Sequence, residues 1–100
     1  MTDRVAPTCG TKLTHGMNET MRRRREQRRE FLRLLYELVD GSVSEFVPAS
    51  TIAEKLGLDE AETRRIFEYL EEKQLVVVDD HRSGIIRITA AGVDEVEGAA

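Results

Sequence analysis

The chain has 100 residues with 40% hydrophobic content, enough for one modest core and too little for a second independent domain. With no Trp, three Phe and two Tyr, that core must come mainly from Leu, Ile and Val. A net charge of −4 hides opposed halves: up to Arg33 nine bases face four acids, giving +5, and from Leu34 onward six bases face fifteen acids, giving −9. No run approaches the ~20 apolar residues of a membrane span and no secretory signal opens the chain, so a cytoplasmic protein is expected.

Residues 1–18 combine Pro7, Gly10 and Gly16 with scattered polar side chains and show no helical or strand period. They are expected to form a disordered tail ahead of an ordered domain over residues 19–98. Met17 and Met21 stand just before the ordered pattern, and a start of translation at either would leave the tail out of the native protein. Cys9 excludes an internal disulfide and reads as an exposed thiol in a reducing compartment. Gly10, Thr11 and Lys12 lack the earlier glycine, preceding strand and following helix of a phosphate-binding loop.

From about Thr20 to Asp40 the spacing predicts a helix, with Phe31, Leu34, Leu35 and Leu38 on one face, widened by Leu32 and Val39. Its start carries Arg22, Arg23, Arg24, Arg25, Arg28, Arg29 and Arg33 against Glu26 and Glu30, a surplus of five positive charges. Two readings stay open for this run. It is a solvated face neutralised in part by acids on adjacent turns, or it is an anion site. Four arginines at a helix start oppose the macrodipole at about 0.3–1 kcal/mol each, so residues 20–26 are expected to fray until an anion covers them.

Gly41 ends this helix in a left-handed conformation, and Glu45 to Pro48 suggest a short edge strand. Ser50 or Thr51 is placed to cap a second helix with Ile52, Ala53 and Leu56 inward and Gly57 at its end. Leu58 plugs the turn. Asp59 caps a third helix, with Glu62 completing an acidic capping box. Along it Thr63, Ile66, Phe67 and Leu70 recur at core spacing, leaving Glu60, Glu62, Arg64, Arg65 and Glu68 largely outside.

Leu75–Val78 and Ile85–Ile88 are β-branched apolar runs separated by a polar tip that includes His81 and Arg82. This is the pattern of a hairpin. Thr89 then caps a short last helix through Glu97, with Val93 and Val96 facing inward.

In order and in residues, Ile52 to Leu58, Thr63 to Val76, and Thr89 with Gly92 resemble the winged helix-turn-helix superfamily of small prokaryotic regulators. The resemblance covers about Phe31 to Val96. It implies a mainly α fold with a small β-hairpin: a three-helix core, a two- to three-stranded wing sheet and a short C-terminal helix. It also implies double-stranded DNA as partner, in a transcription regulator or the N-terminal module of one. The start of the third helix would enter the major groove and the hairpin would touch the backbone. Carried onto this sequence, the contacts fall to Glu60, Ala61, Glu62, Arg64 and Arg65, with His81 and Arg82 on the wing and Arg22, Arg23, Arg24, Arg25, Arg28 and Arg29 on phosphates.

Two departures stand out. Asp59 to Lys73 carries three bases against six acids, or −3, which a phosphate-lined groove repels. Gln74 stands where such families usually have Gly, and a left-handed Gln costs on the order of 1 kcal/mol. The acidic third helix supports an alternative, a protein-protein interaction module that meets a basic protein surface without DNA. A third reading is a homodimer through the first or last helix, although no heptad seam is sustained. No catalytic constellation, cofactor signature or metal spacing is present: neither His15 nor His81 has a second ligand at metal distance in sequence, so no enzyme is expected.

Overall fold

The computed structural model describes residues 8–99, with side-chain surroundings described for 19–98. Four helices and three strands follow in the order α1 (Thr8–Leu38), β1 (Val47–Pro48), α2 (Ala49–Leu56), α3 (Glu60–Glu72), β2 (Val76–Asp80), β3 (Ile85–Ile88) and α4 (Ala90–Ala99). This is the winged helix-turn-helix fold. The strands form one antiparallel sheet of order β1-β3-β2, with Val47 opposite Ile86, Val76 opposite Ile88 and a bulge between Val78 and Asp80.

Helix α1 begins at Thr8, well ahead of the start expected near Thr20, and thus runs into the segment read as a tail. Extending an existing helix fixes one residue per hydrogen bond and costs far less than starting a new one. Residues 1–7 of the expected tail lie outside the described residues. The longer helix also corrects the dipole argument. Arg22 to Arg25 occupy the middle of α1, whereas the macrodipole acts only within a terminal turn.

The buried line of α1 is Phe31, Leu32 and Leu35, continued by Val39 just past its end, while Leu38 is 39% exposed and Leu34 only partly buried. Residues 31, 35 and 39 recur every fourth position and set the inward direction. Against them pack Ile52 of α2, Ile66, Phe67 and Leu70 of α3, and Val76, Ile86 and Ile88 of the sheet. Each such side chain contributes about 1.5–3 kcal/mol when fully buried.

Gly57 ends α2 at φ 70 and donates its N–H to the Ala53 carbonyl. The start of α2 differs from expectation. Neither Ser50 nor Thr51 caps it; the helix opens at Ala49 after Pro48, with no side-chain cap, and the Ala49 N–H donates to the Gly84 carbonyl at 2.7 Å. A backbone oxygen of the hairpin replaces the local cap. At α3 the capping box is complete: Asp59 Oδ1 accepts from the Glu62 N–H at 2.7 Å, and Glu62 Oε1 accepts from the Asp59 N–H at 3.0 Å. Gln74 is left-handed at φ 64, and Thr89 Oγ1 accepts from the Gly92 N–H at 3.0 Å.

Candidate nucleic-acid interface

Helix α3 presents its start to solvent because its inward stripe is fully used by the core. Glu60, Ala61, Arg65 and Glu68 are exposed, while Thr63, Ile66, Phe67 and Leu70 are buried. Glu62 and Arg64 are half-covered, each for its own reason. Glu62 belongs to the capping box, so the role expected of it as a reader competes with holding its own helix start.

Arg64 and Arg65 are adjacent in sequence and therefore diverge by about 100° around the helix. Arg64 turns to the hairpin, where its guanidinium donates to the His81 carbonyl at 2.9 Å and stands 5.7 Å from the Phe67 ring centre. Arg65 turns to α1. Neither pairs with an acid of α3 among the described residues, although Glu60, Glu62 and Glu68 stand one turn away.

Two grooves flank α3 as a result. On the hairpin side a groove of ≈ 320 Å³ runs between the starts of α2 and α3 and the wing tip, with Arg64 and Arg82 on its walls. The wing tip is a tight turn held by Asp80. Its Oδ1 accepts from the Arg82 N–H at 3.0 Å, its Oδ2 accepts from Ser83 Oγ at 2.8 Å, and its carbonyl accepts from the Gly84 N–H. These bonds hold the Asp80 carboxyl below its ordinary range, the Ser83 hydroxyl acting most strongly and the Arg82 N–H next. The His81 ring is exposed yet held by a partner. Its Nε2 lies 2.9 and 3.0 Å from the two carboxylate oxygens of Glu71, which ties the wing to the last turn of α3.

On the other side a polar groove of ≈ 490 Å³ separates α3 from α1, and Arg22, Arg23 and Arg24 share it with Arg65 and Glu62. The remaining arginines of the run leave this face. Arg25, Arg28 and Arg29 line a different cleft, where α1 meets the second half of α3 and α4. The run that is continuous in sequence is thus divided by the helical period. Along α1 Arg33 pairs with Glu30 at 3.7 Å; among the described residues Arg22 to Arg29 have no ion pair, and Glu26 neutralises none of them.

Two contacts escape sequence reasoning. Arg28 places its guanidinium carbon over the Tyr69 ring, 4.0 Å from the centroid, and Glu71 holds His81. Both join elements whose relative placement depends on packing angles, so no local spacing announces them. No group of three or more His, Cys, Asp or Glu side chains is placed to hold a metal ion among the described residues. None of the helices, among the described residues, is long and apolar enough to cross a membrane.

No family model matches the sequence, and no curated protein is significantly similar to it. Among solved structures the fold is similar to that of a double mutant of Lactococcus lactis ZitR in its apo form, with a TM-score of 0.57 and 18% identity. The match covers 92% of this chain and 67% of the ZitR chain. At that identity the likeness concerns the fold.

Proposed function

We propose that the chain binds double-stranded DNA, as a transcription regulator or as the N-terminal module of one. Helix α3 lies in the major groove, Arg65 and the N–H groups of Arg64 not bonded to His81 reach base edges or phosphates, and Arg82 steadies the wing on the backbone. Arg22, Arg23 and Arg24 take phosphates beside α3. What carries this reading is the set of α1 arginines that have no ion pair among the described residues yet border the exposed start of α3. They supply the positive charge that the third helix, at −3, lacks.

Titration with a random-sequence duplex at several salt concentrations tests the proposal. Neutralising four or five phosphates gives a slope of log affinity against log salt of about −4. Replacing Arg22, Arg23 and Arg24 by Ala should flatten that slope. An affinity indifferent to salt and to these substitutions would reject the DNA reading and favour a basic protein partner, whose capture would then be abolished by Glu60→Lys.

A further inference from the structure

The geometry points to a second binding site, the cleft between α1, the second half of α3 and α4, with a soluble single-chain acyl carboxylate as its ligand. At ≈ 650 Å³ this cleft exceeds both grooves beside the exposed start of α3, and it falls in the size range of small-molecule sites. Its floor is apolar. Leu70 is buried beneath it, and Leu75 and Val96 are partly buried around it.

Charge selects an anion. Five basic residues line the cleft against three acidic ones, a surplus of two, and one of those acids, Glu30, is already engaged by Arg33. Arg25, Arg28 and Arg29 have no ion pair among the described residues. Arg28 is held in place. Its guanidinium carbon stands over the Tyr69 ring at 4.0 Å from the centroid, a contact that positions the group while its N–H donors make no ion pair among the described residues and can bond a carboxylate. Lys73, at the end of α3, adds a cation on the opposite wall.

Shape selects a chain rather than a compact group. The lining on α1 extends from Arg25 to Glu37, which at helical rise is about 18 Å, with Arg25, Arg28 and Arg29 toward one end and Tyr36 and Glu37 at the other, past the Arg33–Glu30 pair. A head group at Arg28 places an extended tail along Leu75 and Val96. Phosphate alone would leave this floor bare, and a neutral chain would leave the arginines without an anion. The site is separate from the proposed DNA face, so its test is independent of whether duplex binds.

The experiment follows backbone and side-chain NMR signals of the full chain during titration with octanoate, butanoate, 1-octanol and inorganic phosphate in parallel. Octanoate is expected to shift Arg28, Tyr69, Leu75 and Val96 and to bind at least tenfold more tightly than any of the other three. Arg28→Gln should weaken octanoate at least tenfold while the core signals of Phe31 and Ile88 stay in place. Lys73→Gln, at an exposed position, should weaken it also and serves if the first variant does not fold. Equal binding of octanol would reduce the site to an apolar patch, and equal binding of phosphate would reduce it to a simple ion site; either overturns the proposal. So does the absence of shifts, shifts elsewhere, or cleft signals that move with protein concentration alone, which would show a second copy of the chain covering the cleft.

Discussion

Thr89 closes the left-handed turn at Gln74: its hydroxyl donates to the Gln74 carbonyl at 2.8 Å and, through the same oxygen, accepts from the Gly92 N–H at 3.0 Å. One side chain therefore fixes the exit of α3 and the entry of α4. Thr89→Val should lose both bonds and cost about 1–2 kcal/mol. Gln74→Gly should act in the opposite direction, because φ 64 is unfavourable for any residue with a Cβ. A gain of about 1 kcal/mol is expected, read as a rise in Tm of about 4–8 °C.

The sequence makes the second half of this arrangement readable and hides the first. Thr89 with Gly92, like Asp59 with Glu62, is a contact three residues long whose geometry follows from the helix itself. The left-handed Gln74, at φ 64, is legible only through the family resemblance, which usually places Gly at that position. Ser50 and Thr51 mislead for the opposite reason. They satisfy the local rule, yet the hairpin brings the Gly84 carbonyl within 2.7 Å of the Ala49 N–H and makes a side-chain cap unnecessary. The division of the arginine run has a further cause: the start of α3 borders Arg22 to Arg24, its second half with α4 borders Arg25, Arg28 and Arg29, and only packing decides which arginine meets which.

Two glycines should respond differently to the same substitution. A methyl group at Gly92 would collide with the Leu75 carbonyl oxygen and lie 2.7 Å from Ile88 Cγ1, in a place where backbone must yield. Gly92→Ala is expected to cost about 3 kcal/mol, at the upper end of overpacking. Gly57 meets nothing within 4 Å, and its φ of 70 is the only objection to a side chain. Gly57→Ala should therefore cost about 1 kcal/mol. Chemical denaturation of both variants measures the difference.

Acid should loosen the wing before it unfolds the core. The Asp80 carboxyl is held below its ordinary value of 3.8 by the Ser83 hydroxyl and the Arg82 N–H. A carboxyl with a depressed value in the folded state stabilises above its unfolded value, and that contribution fades as pH falls through the folded one. Hydrogen exchange and amide shifts of Arg82 and Gly84 should thus change below pH 3.8, while Phe31 and Ile88 do not. In Asp80→Asn the wing-tip signals should lose this pH dependence.

Alkali should release α4. Tyr36 donates its hydroxyl to Glu97 Oε2 at 2.8 Å, and this bond, followed by slight burial and the charges of Glu97 and Asp40, raises the phenol above 10.0. The neutral phenol is the form that donates. Its contribution is therefore full below the unfolded value and disappears as pH rises through the higher folded one. Protection of the α4 amides should fall above pH 10.0, and Tyr36→Phe should show the weaker protection already at neutral pH.

Arg64 and Arg65 should separate in their effects on duplex binding and on the wing. Arg64 is tied to the hairpin through the His81 carbonyl, so Arg64→Ala should raise hydrogen exchange at residues 81–84 even without DNA. Arg65 has no such tie, and Arg65→Ala should leave the wing as it is. On DNA, loss of Arg65 should weaken binding about tenfold or more, the usual scale for one direct contact. Loss of Arg64 combines a contact with a displaced wing, and its cost should shrink when Arg82 is already Ala, because the two side chains border one groove and cannot act independently. A double-mutant cycle in duplex affinity measures this coupling. Additive losses for Arg64 and Arg82 would mean that the wing keeps its position without the bond to His81.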